Sequence, residues 1–344
     1  MSPLVVLAVA LIAFATALFT TPYVRKLALN VGMLDATGER RMHDQPKPRI
    51  GGIAVYLGFA LALFAALGYL IKTGQYGNPN HLAEGLGNLH DMIGLIFGGT
   101  LVLMVGIWDD VMGMAPRTKL LAQAVVAAIS MLYGFVITPY FTNPLNPHGP
   151  PVYFPHHFEW LTIVLTLVWY LGMMNAINFI DGLDGLLSGL TVISAASLIV
   201  IDLQRGHPEI ALILAALAGG ALGFLRYNWN PAKIILGDSG ALFIGYVFAT
   251  VSIIGASKTA FAISLLVPLV VLALPVLDTA AAIVRRTRAG KKIYEADRGH
   301  FHHQLIFRFG LNVRQAVLLI YAVCIALGLV ALLLTSGYVP LHFA

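Results

Sequence analysis

Apolar residues fall into long runs along this chain, and polar residues gather in short clusters between them. A helix needs about 20 mostly apolar residues to cross a bilayer. Ten runs meet that template, near residues 3–21, 52–71, 91–108, 118–137, 159–177, 185–203, 208–226, 239–256, 260–284 and 314–335. The third, fifth and seventh are short or polar at one end. The pattern predicts an all-α polytopic membrane protein with about ten transmembrane helices, in a single domain over residues 1–344. No internal repeat and no low-complexity tract interrupts it.

Charge placement gives the runs a direction. With residue 1 outside, the inside loops are 22–51, 109–117, 178–184, 227–238 and 285–313, and both termini lie outside. These loops and the adjacent helix ends hold 18 of the 21 Lys and Arg; Lys72, Arg205 and Lys258 are the exceptions. Such a bias is the positive-inside pattern. No basic residue precedes the first run, whereas Arg25 and Lys26 follow it, which favours an uncleaved span over a signal peptide. The expected location is the plasma (inner) membrane.

Composition agrees. Of 344 residues, 58% are hydrophobic and 11% charged, with a mean hydropathy of +0.83. A soluble domain carries about 25% charged residues. The one cysteine, Cys324, lies in an apolar run and excludes an intrachain disulfide. Outside, segment 138–158 is rich in proline and aromatics and reads as a semi-rigid hairpin. His156 and His157 there have only Glu159 nearby as an acid, which is weak support for a metal site.

Five polar clusters lie inside. The first runs from His43 to Gly52, with Pro46 and Pro48 stiffening it, Lys47 and Arg49 cationic, and Gly51-Gly52 permitting close backbone approach; its simpler reading is a basic membrane anchor. The second is Asp109-Asp110, followed by Lys119 and Gln123. Two adjacent carboxylates about 100° apart on a helix cannot serve one atom, and without a cation one tends to stay protonated. The third is Asn175, Asn178, Asp181 and Asp184, at steps of three that stay neighbours on a helix until Gly182 and Gly185 end it. The fourth is Asn228-Trp-Asn-Pro231 with Gly237-Asp238, where Asp238 suits a metal or a helix N-terminus equally. The fifth is Asp297-Arg298-Gly-His300-Phe-His302-His303, in the most basic loop. Asp278 falls inside the ninth run with its role open. Polar groups at the end of a membrane helix are costly unless water, an ion or a ligand receives them.

The carboxylate and amide oxygens suit a hard ion such as Mg²⁺ better than zinc. Lys, Arg and His suit phosphate oxygens and proton transfer. Together they make a phosphoryl-transfer site. No phosphate-binding glycine signature between a strand and a helix accompanies it.

Five motifs in this order, on one side, resemble the polyprenyl-phosphate N-acetylhexosamine-1-phosphate transferases, over nearly the whole chain. The resemblance implies transfer of N-acetylglucosamine 1-phosphate from UDP-GlcNAc to undecaprenyl phosphate at the cytoplasmic face, with Mg²⁺ (or Mn²⁺ as a substitute) and release of UMP. It implies Asp238 and Asn178 as metal ligands. Asp109, Asp110, Lys119, His302 and His303 take the catalytic positions. Arg49, Asn175, Asp181, Asp184, Asn228, Arg298 and His300 take substrate-binding ones. A homodimer is compatible, and no nucleic acid is expected as a partner. Arg298-Gly-His-Phe-His-His303 resembles the N-acetylglucosamine branch rather than the muramyl-pentapeptide branch, which reads Pro-x-His-His-His. Ile235 stands where that branch places an aromatic, so uracil stacking must come from elsewhere. The rival readings are a muramyl-pentapeptide substrate and, more remotely, a cation-coupled transporter. A transporter would place its acids near the midplane between repeats.

Overall fold

The computed structural model describes residues 2–35, 46–73, 89–137, 140–141, 152–153, 159–258, 267–288, 290 and 299–336. Nearly all of them are helical. With no water in the hydrocarbon layer, a helix satisfies its backbone polar groups within one segment, and the long apolar runs take that solution. In chain order α1 is Pro3–Val31, α2 Gly52–Lys72, α3 Leu89–Met112 and α4 Pro116–Leu132. Then come α5 Glu159–Ile180, α6 Leu186–Gln204, α7 Pro208–Asn228 and α8 Gly237–Lys258. The last three are α9 Ala273–Arg288, α10 Phe301–Phe307 and α11 Val313–Ser336. Two short antiparallel ladders join them: β1 (Leu34–Asp35) with β2 (Lys47–Pro48), and β3 (Tyr140–Phe141) with β4 (Val152–Tyr153).

Among the described residues, eight helices are long and apolar enough to cross a membrane: α1, α2, α3, α5, α6, α7, α8 and α11. The fourth expected span is α4, which stops after 17 residues where the chain turns at Tyr133 and Gly134. The ninth corresponds in part to α9, with residues 259–266 outside the described set. Several helices outrun the expected limits at their polar ends. α1 continues through Arg25 and Lys26 to Val31, and α3 includes Asp109 and Asp110 in its last turn. Of the expected hairpin at 138–158, the antiparallel β3–β4 pair is described, and the remaining residues lie outside the described set.

α8 is the hub. It packs against α2, α3, α5 and α7, and its apolar stretch is 94% buried, against 28% for α1 and α11. Hydrophobicity cannot drive helices together in lipid, so small residues that allow close packing do that work. A Cβ on Gly106 of α3 would stand 2.4 Å from Ser239 Cα, and one on Gly52 of α2 would stand 2.1 Å from Gly240 N. Both contacts are backbone against backbone, at the start of α8. Farther along, buried hydroxyls tie α8 to its neighbours. Tyr246 and Ser130 share a hydrogen bond of 3.0 Å, as do Tyr170 and Thr250, and Trp169 Nε1 donates to Ser252 at 3.0 Å. Such interhelical bonds contribute about 0.6 kcal/mol each in a membrane.

This packing distinguishes two glycines by experiment. Gly106→Ala pushes a methyl into the α8 backbone and should destabilise by about 1–3 kcal/mol, lowering the thermal midpoint in detergent by several degrees. Gly172→Ala, where no atom lies within 4 Å of the added carbon, should leave the midpoint unchanged or raise it. Equal midpoints for both variants would refute the close α3–α8 joint.

Candidate active site

Successive antiparallel helices bring alternate ends together, and this places the polar clusters at one end of the bundle. α3, α5 and α7 contribute their C-terminal turns, with Asp109 and Asp110, Asn178, and Asn228 respectively. α2, α4, α6 and α8 contribute their N-terminal ends, which bring Arg49, Lys119, Asp184 and Asp238 to the same place. α5 ends at Ile180, so Asn175 and Asn178 share its helix while Asp181 and Asp184 lie in the turn into α6. The predicted steps of three are therefore helical only in their first half.

Lys119 is the centre of the cluster. Its ammonium lies 2.7 Å from Asp109 Oδ2 and 2.8 Å from Asp238 Oδ1, and it donates to Asn178 Oδ1 at 3.2 Å. Asn178 Nδ2 also donates to Asp238 Oδ1. The other oxygen of Asp109 accepts from Met114 N–H at 2.7 Å, closing the turn after α3. Asp110 has a different occupation. Its Oδ1 accepts from Asp238 N–H at 2.9 Å and its Oδ2 from Ser239 N–H at 3.0 Å. A buried carboxylate thus caps the first turn of α8 from another helix, satisfying backbone donors that a helix start leaves open. Gly237 precedes them at φ +76°, and a Cβ there would meet Asp110 Oδ2 at 2.5 Å. Asp110 was expected at a catalytic position; its oxygens are turned to the backbone that carries Asp238. Asp238, for which N-capping was the alternative, is itself capped and keeps its carboxylate for the cluster.

Arg49 spans three acids, with contacts of 3.4 Å to Asp35, 3.3 Å to Asp110 and 3.7 Å to Asp238. Its segment is paired with the chain just before α8. Ile235 N–H donates to Pro48 O at 3.0 Å, Gly51 N–H to Ile235 O at 3.1 Å and Gly52 N–H to Leu236 O at 2.9 Å. Between them, buried Ile50 adopts φ +68°. A β-branched residue in the left-handed region is strained, and that conformation aims Arg49 at the acids.

Three predicted substrate-binding residues are occupied by the frame. Asp184 Oδ2 pairs with Lys47 at 2.8 Å and accepts from Asn230 Nδ2 at 3.1 Å and Ala232 N–H at 2.9 Å. Asn228 Oδ1 accepts from Gly185 N–H at 3.1 Å and Ser188 at 2.8 Å, while its Nδ2 donates to Ile234 O at 3.1 Å. Asn175 donates to Gln123 Oε1 at 2.6 Å and Leu171 O at 2.8 Å, joining α5 to α4 inside the bundle.

The histidines approach from the far side of the α5–α6 turn. Asp278, whose role the sequence leaves open, sits on α9 and holds this segment. Its Oδ2 is 2.8 Å from His300 Nδ1, and its Oδ1 accepts from Phe301 N–H at 2.9 Å. The His300 and His302 rings stack at 5.8 Å, and those of His302 and His303 lie 4.3 Å apart. His302 is buried against Gly182, where a Cβ would stand 2.2 Å from Nε2. Burial, and then the neighbouring His303 and His300, pulls its pKa down to about 3. It is a neutral imidazole at physiological pH. Arg298 lies outside the described residues.

A polar cavity of about 250 Å³ opens between these groups, lined by Arg49, Asn178, Asp181, Asp184, Asp238 and His303 among others. Six carboxylates surround it or its walls (Asp35, Asp109, Asp110, Asp181, Asp184, Asp238), against three cations (Lys47, Arg49, Lys119). Burial, followed by the charges of Asp238 and Asp110, raises Asp181 to about 8. The site is short of positive charge. Among the described residues, no group of three or more His, Cys, Asp or Glu forms a ready-made metal cage. Asp238 and Asn178 line the cavity as a carboxylate and an amide, a partial set of the kind a hard divalent ion could complete with water and phosphate.

Asp35, Lys47, Asn230 and Ser239 belong to this frame but were not assigned to the site from sequence, Lys47 and Asn230 being named only as members of their clusters. Lys47 carried a signal, standing two residues before Arg49 in a stiffened segment. Asp35 carried none, because only the β1–β2 pairing brings it near Arg49.

Relatives point the same way. The glycosyl transferase family 4 profile matches residues 92–256, which include Asp109, Lys119, Asn178 and Asp238. A Bacillus subtilis (strain 168) protein named "Probable undecaprenyl-phosphate N-acetylglucosaminyl 1-phosphate transferase" is 32% identical, over 95% of this chain and 84% of its own length. The decaprenyl-phosphate N-acetylglucosaminephosphotransferase of Mycolicibacterium smegmatis is 35% identical, over 88% of this chain and 75% of its own. The undecaprenyl-phosphate alpha-N-acetylglucosaminyl 1-phosphate transferase of Escherichia coli K12 is 29% identical, over 94% and 83%. With its helical membrane bundle and its acid–lysine cluster at one end, the chain belongs to the polyprenyl-phosphate N-acetylglucosaminyl 1-phosphate transferase family.

Proposed function

We propose that this protein transfers N-acetylglucosamine 1-phosphate from UDP-N-acetylglucosamine to undecaprenyl phosphate, releasing UMP, at the cytoplasmic face of the inner membrane. The observation that supports it most is the convergence of Lys119, Asn178, Asp238 and Arg49 on a cavity whose carboxylates outnumber its cations. The cavity lies at helix ends, where a lipid headgroup and a water-soluble nucleotide can both reach it.

A phosphate oxygen of the lipid attacks the β-phosphorus of the donor, and the bond to the oxygen that leaves with UMP breaks. The lipid phosphate is already anionic near neutral pH, so the site needs charge neutralisation and alignment more than a strong base. Direct attack is therefore preferred to a covalent aspartyl intermediate. Asp238 and Asn178 would hold Mg²⁺, or Mn²⁺ in its place, with Asp181 beside them. The ion would supply positive charge to the diphosphate. Lys119 and Arg49 bring two permanent cations to the phosphates. Asp109 orients Lys119 through its 2.7 Å contact, and Asp110 positions Asp238 through the backbone. His303 faces the cavity and is placed for the donor diphosphate and sugar, while Asp278 holds His300 behind it.

A Mg²⁺-dependent assay of UMP release with undecaprenyl phosphate tests the reading. UDP-GlcNAc should be turned over. Release only from the UDP-muramyl-pentapeptide donor would overturn the assigned substrate, and substrate flux across proteoliposomes without UMP release would overturn the reaction class. Asp238→Asn should reduce turnover by about 10²–10³-fold or more with an unchanged melting curve; full activity would remove Asp238 from the metal site.

Asp110→Ala separates positioning from contact. Loss of the α8 cap should cost about 0.5–2 kcal/mol, so both thermal midpoint and turnover should fall together. Lost turnover with an unchanged midpoint would mean that Asp110 contacts the reactants directly.

A further inference from the structure

A second concavity lies on the outer, lipid-facing side of the same end of the bundle. Gly219 and Gly223 bring α7 against α1 so closely that added Cβ atoms would stand 2.1 Å from Ala10 O and 2.4 Å from Phe14 O. Beside this tight crossing, a groove of about 510 Å³ opens between Phe14 and Leu18 of α1 and Leu222, Leu225, Arg226 and Trp229 at the end of α7. Its walls are apolar except at one end. There Arg226 is exposed and has no ion pair among the described residues. Two more exposed cations, Lys233 and Arg25, belong to segments tied to the end of α7. Lys233 is folded back on the end of α7 by its N–H to Tyr227 O at 2.8 Å, and Arg25 Nε donates to Lys233 O at 3.1 Å. An apolar trough with a cationic mouth at the polar boundary matches an acyl chain joined to an anionic headgroup.

We propose that this groove is a binding site for an anionic glycerophospholipid, separate from the cavity that holds the reactants. Trp229 joins the two places. Its ring edge packs on Gly185, where a Cβ would stand 3.2 Å away, and lies 6.3 Å from the Tyr321 ring. Tyr321 in turn donates to Gly185 O at 2.5 Å, and the residue after Trp229, Asn230, donates to Asp184. A chain seated in the groove presses on the tryptophan that backs the Asp184–Gly185 turn of the active site. An arginine and a tryptophan at a membrane boundary are common anchors; the concavity and this backing of the site set the pair apart. The lipid therefore binds and also raises turnover.

The test measures lipid retention and activity separately, on the full chain. Wild type, Arg226→Gln and Leu222→Trp, which fills the groove, are placed in vesicles of phosphatidylcholine alone or with one-third phosphatidylglycerol. Retained lipid is weighed by native mass spectrometry after extraction. Wild type should keep phosphatidylglycerol in preference to phosphatidylcholine and turn over several-fold faster in the mixed vesicles. Both variants should lose the preference and the stimulation while keeping the wild-type rate in phosphatidylcholine. No preference in wild type, or equal preference in all three proteins, would overturn the site. Displacement of the retained lipid by undecaprenyl phosphate would assign the groove to the acceptor instead. A change in oligomeric mass in the variants with lipid retention unaltered would assign it to a second copy. Because retention does not depend on turnover, failure of the proposed reaction would leave this test intact.

Discussion

Asp110 accepts two hydrogen bonds, from the N–H groups of Asp238 and Ser239, and much of the site hangs from them. A carboxylate buried at the C-terminal end of a membrane helix is in an adverse place, since that end of the helix carries partial negative charge. Here it faces the N-terminal end of α8, where the partial charge is positive and two backbone donors await a partner. Each helix end satisfies the other. The arrangement sets the depth and rotation of α8, and so fixes where the Asp238 carboxylate emerges. Arg49 then closes the cluster against Asp110, and Lys119 closes it from the other side. The glycines at 52, 106 and 237 make the joint feasible by letting three backbones and one carboxylate share a volume that side chains would fill.

The site divides into two parts with different anchors. The acid–cation part is fastened to α8 and to the segment paired with it. The histidine part is fastened to α9 through Asp278 and rests on Gly182, in the α5–α6 turn. The cavity lies where the two meet. This division follows from chemistry: carboxylates with Lys and Arg neutralise one another even when partly desolvated, whereas a neutral imidazole such as His302 tolerates burial without a counter-charge. The low pKa of His302 is the signature of that second solution.

Sequence periodicity and loop charge made the helical bundle legible, together with the gathering of five clusters at one end. Both depend on one-dimensional regularities, span length and alternation. What they could not show is which polar residues turn inward to the frame. Asp184 and Asn228 took substrate-binding positions by resemblance, and nothing in the chain order says that Lys47, Asn230 and the Ser188 hydroxyl hold their side chains. Asp109 and Asp110 illustrate the same limit. Their angular separation predicted two different jobs, but only the packing of α3 on α8 assigns the backbone to one and Lys119 to the other. Asp278 was legible as an anomaly, and its partner was not, because 22 residues separate it from His300.

Ile50 shows what this construction leaves behind. Its side chain fills the core and its backbone holds a conformation that suits glycine. Replacing it with glycine would relax the backbone and open a void; keeping any β-branched residue retains the strain. Neither demand can be met without loss to the other. In the terms of folding landscapes, position 50 is a point of local frustration within a chain that is otherwise consistent from propensity to packing. The conflict lies one residue from the arginine that faces three acids, so the most discordant backbone in the described chain is spent on the geometry of the site.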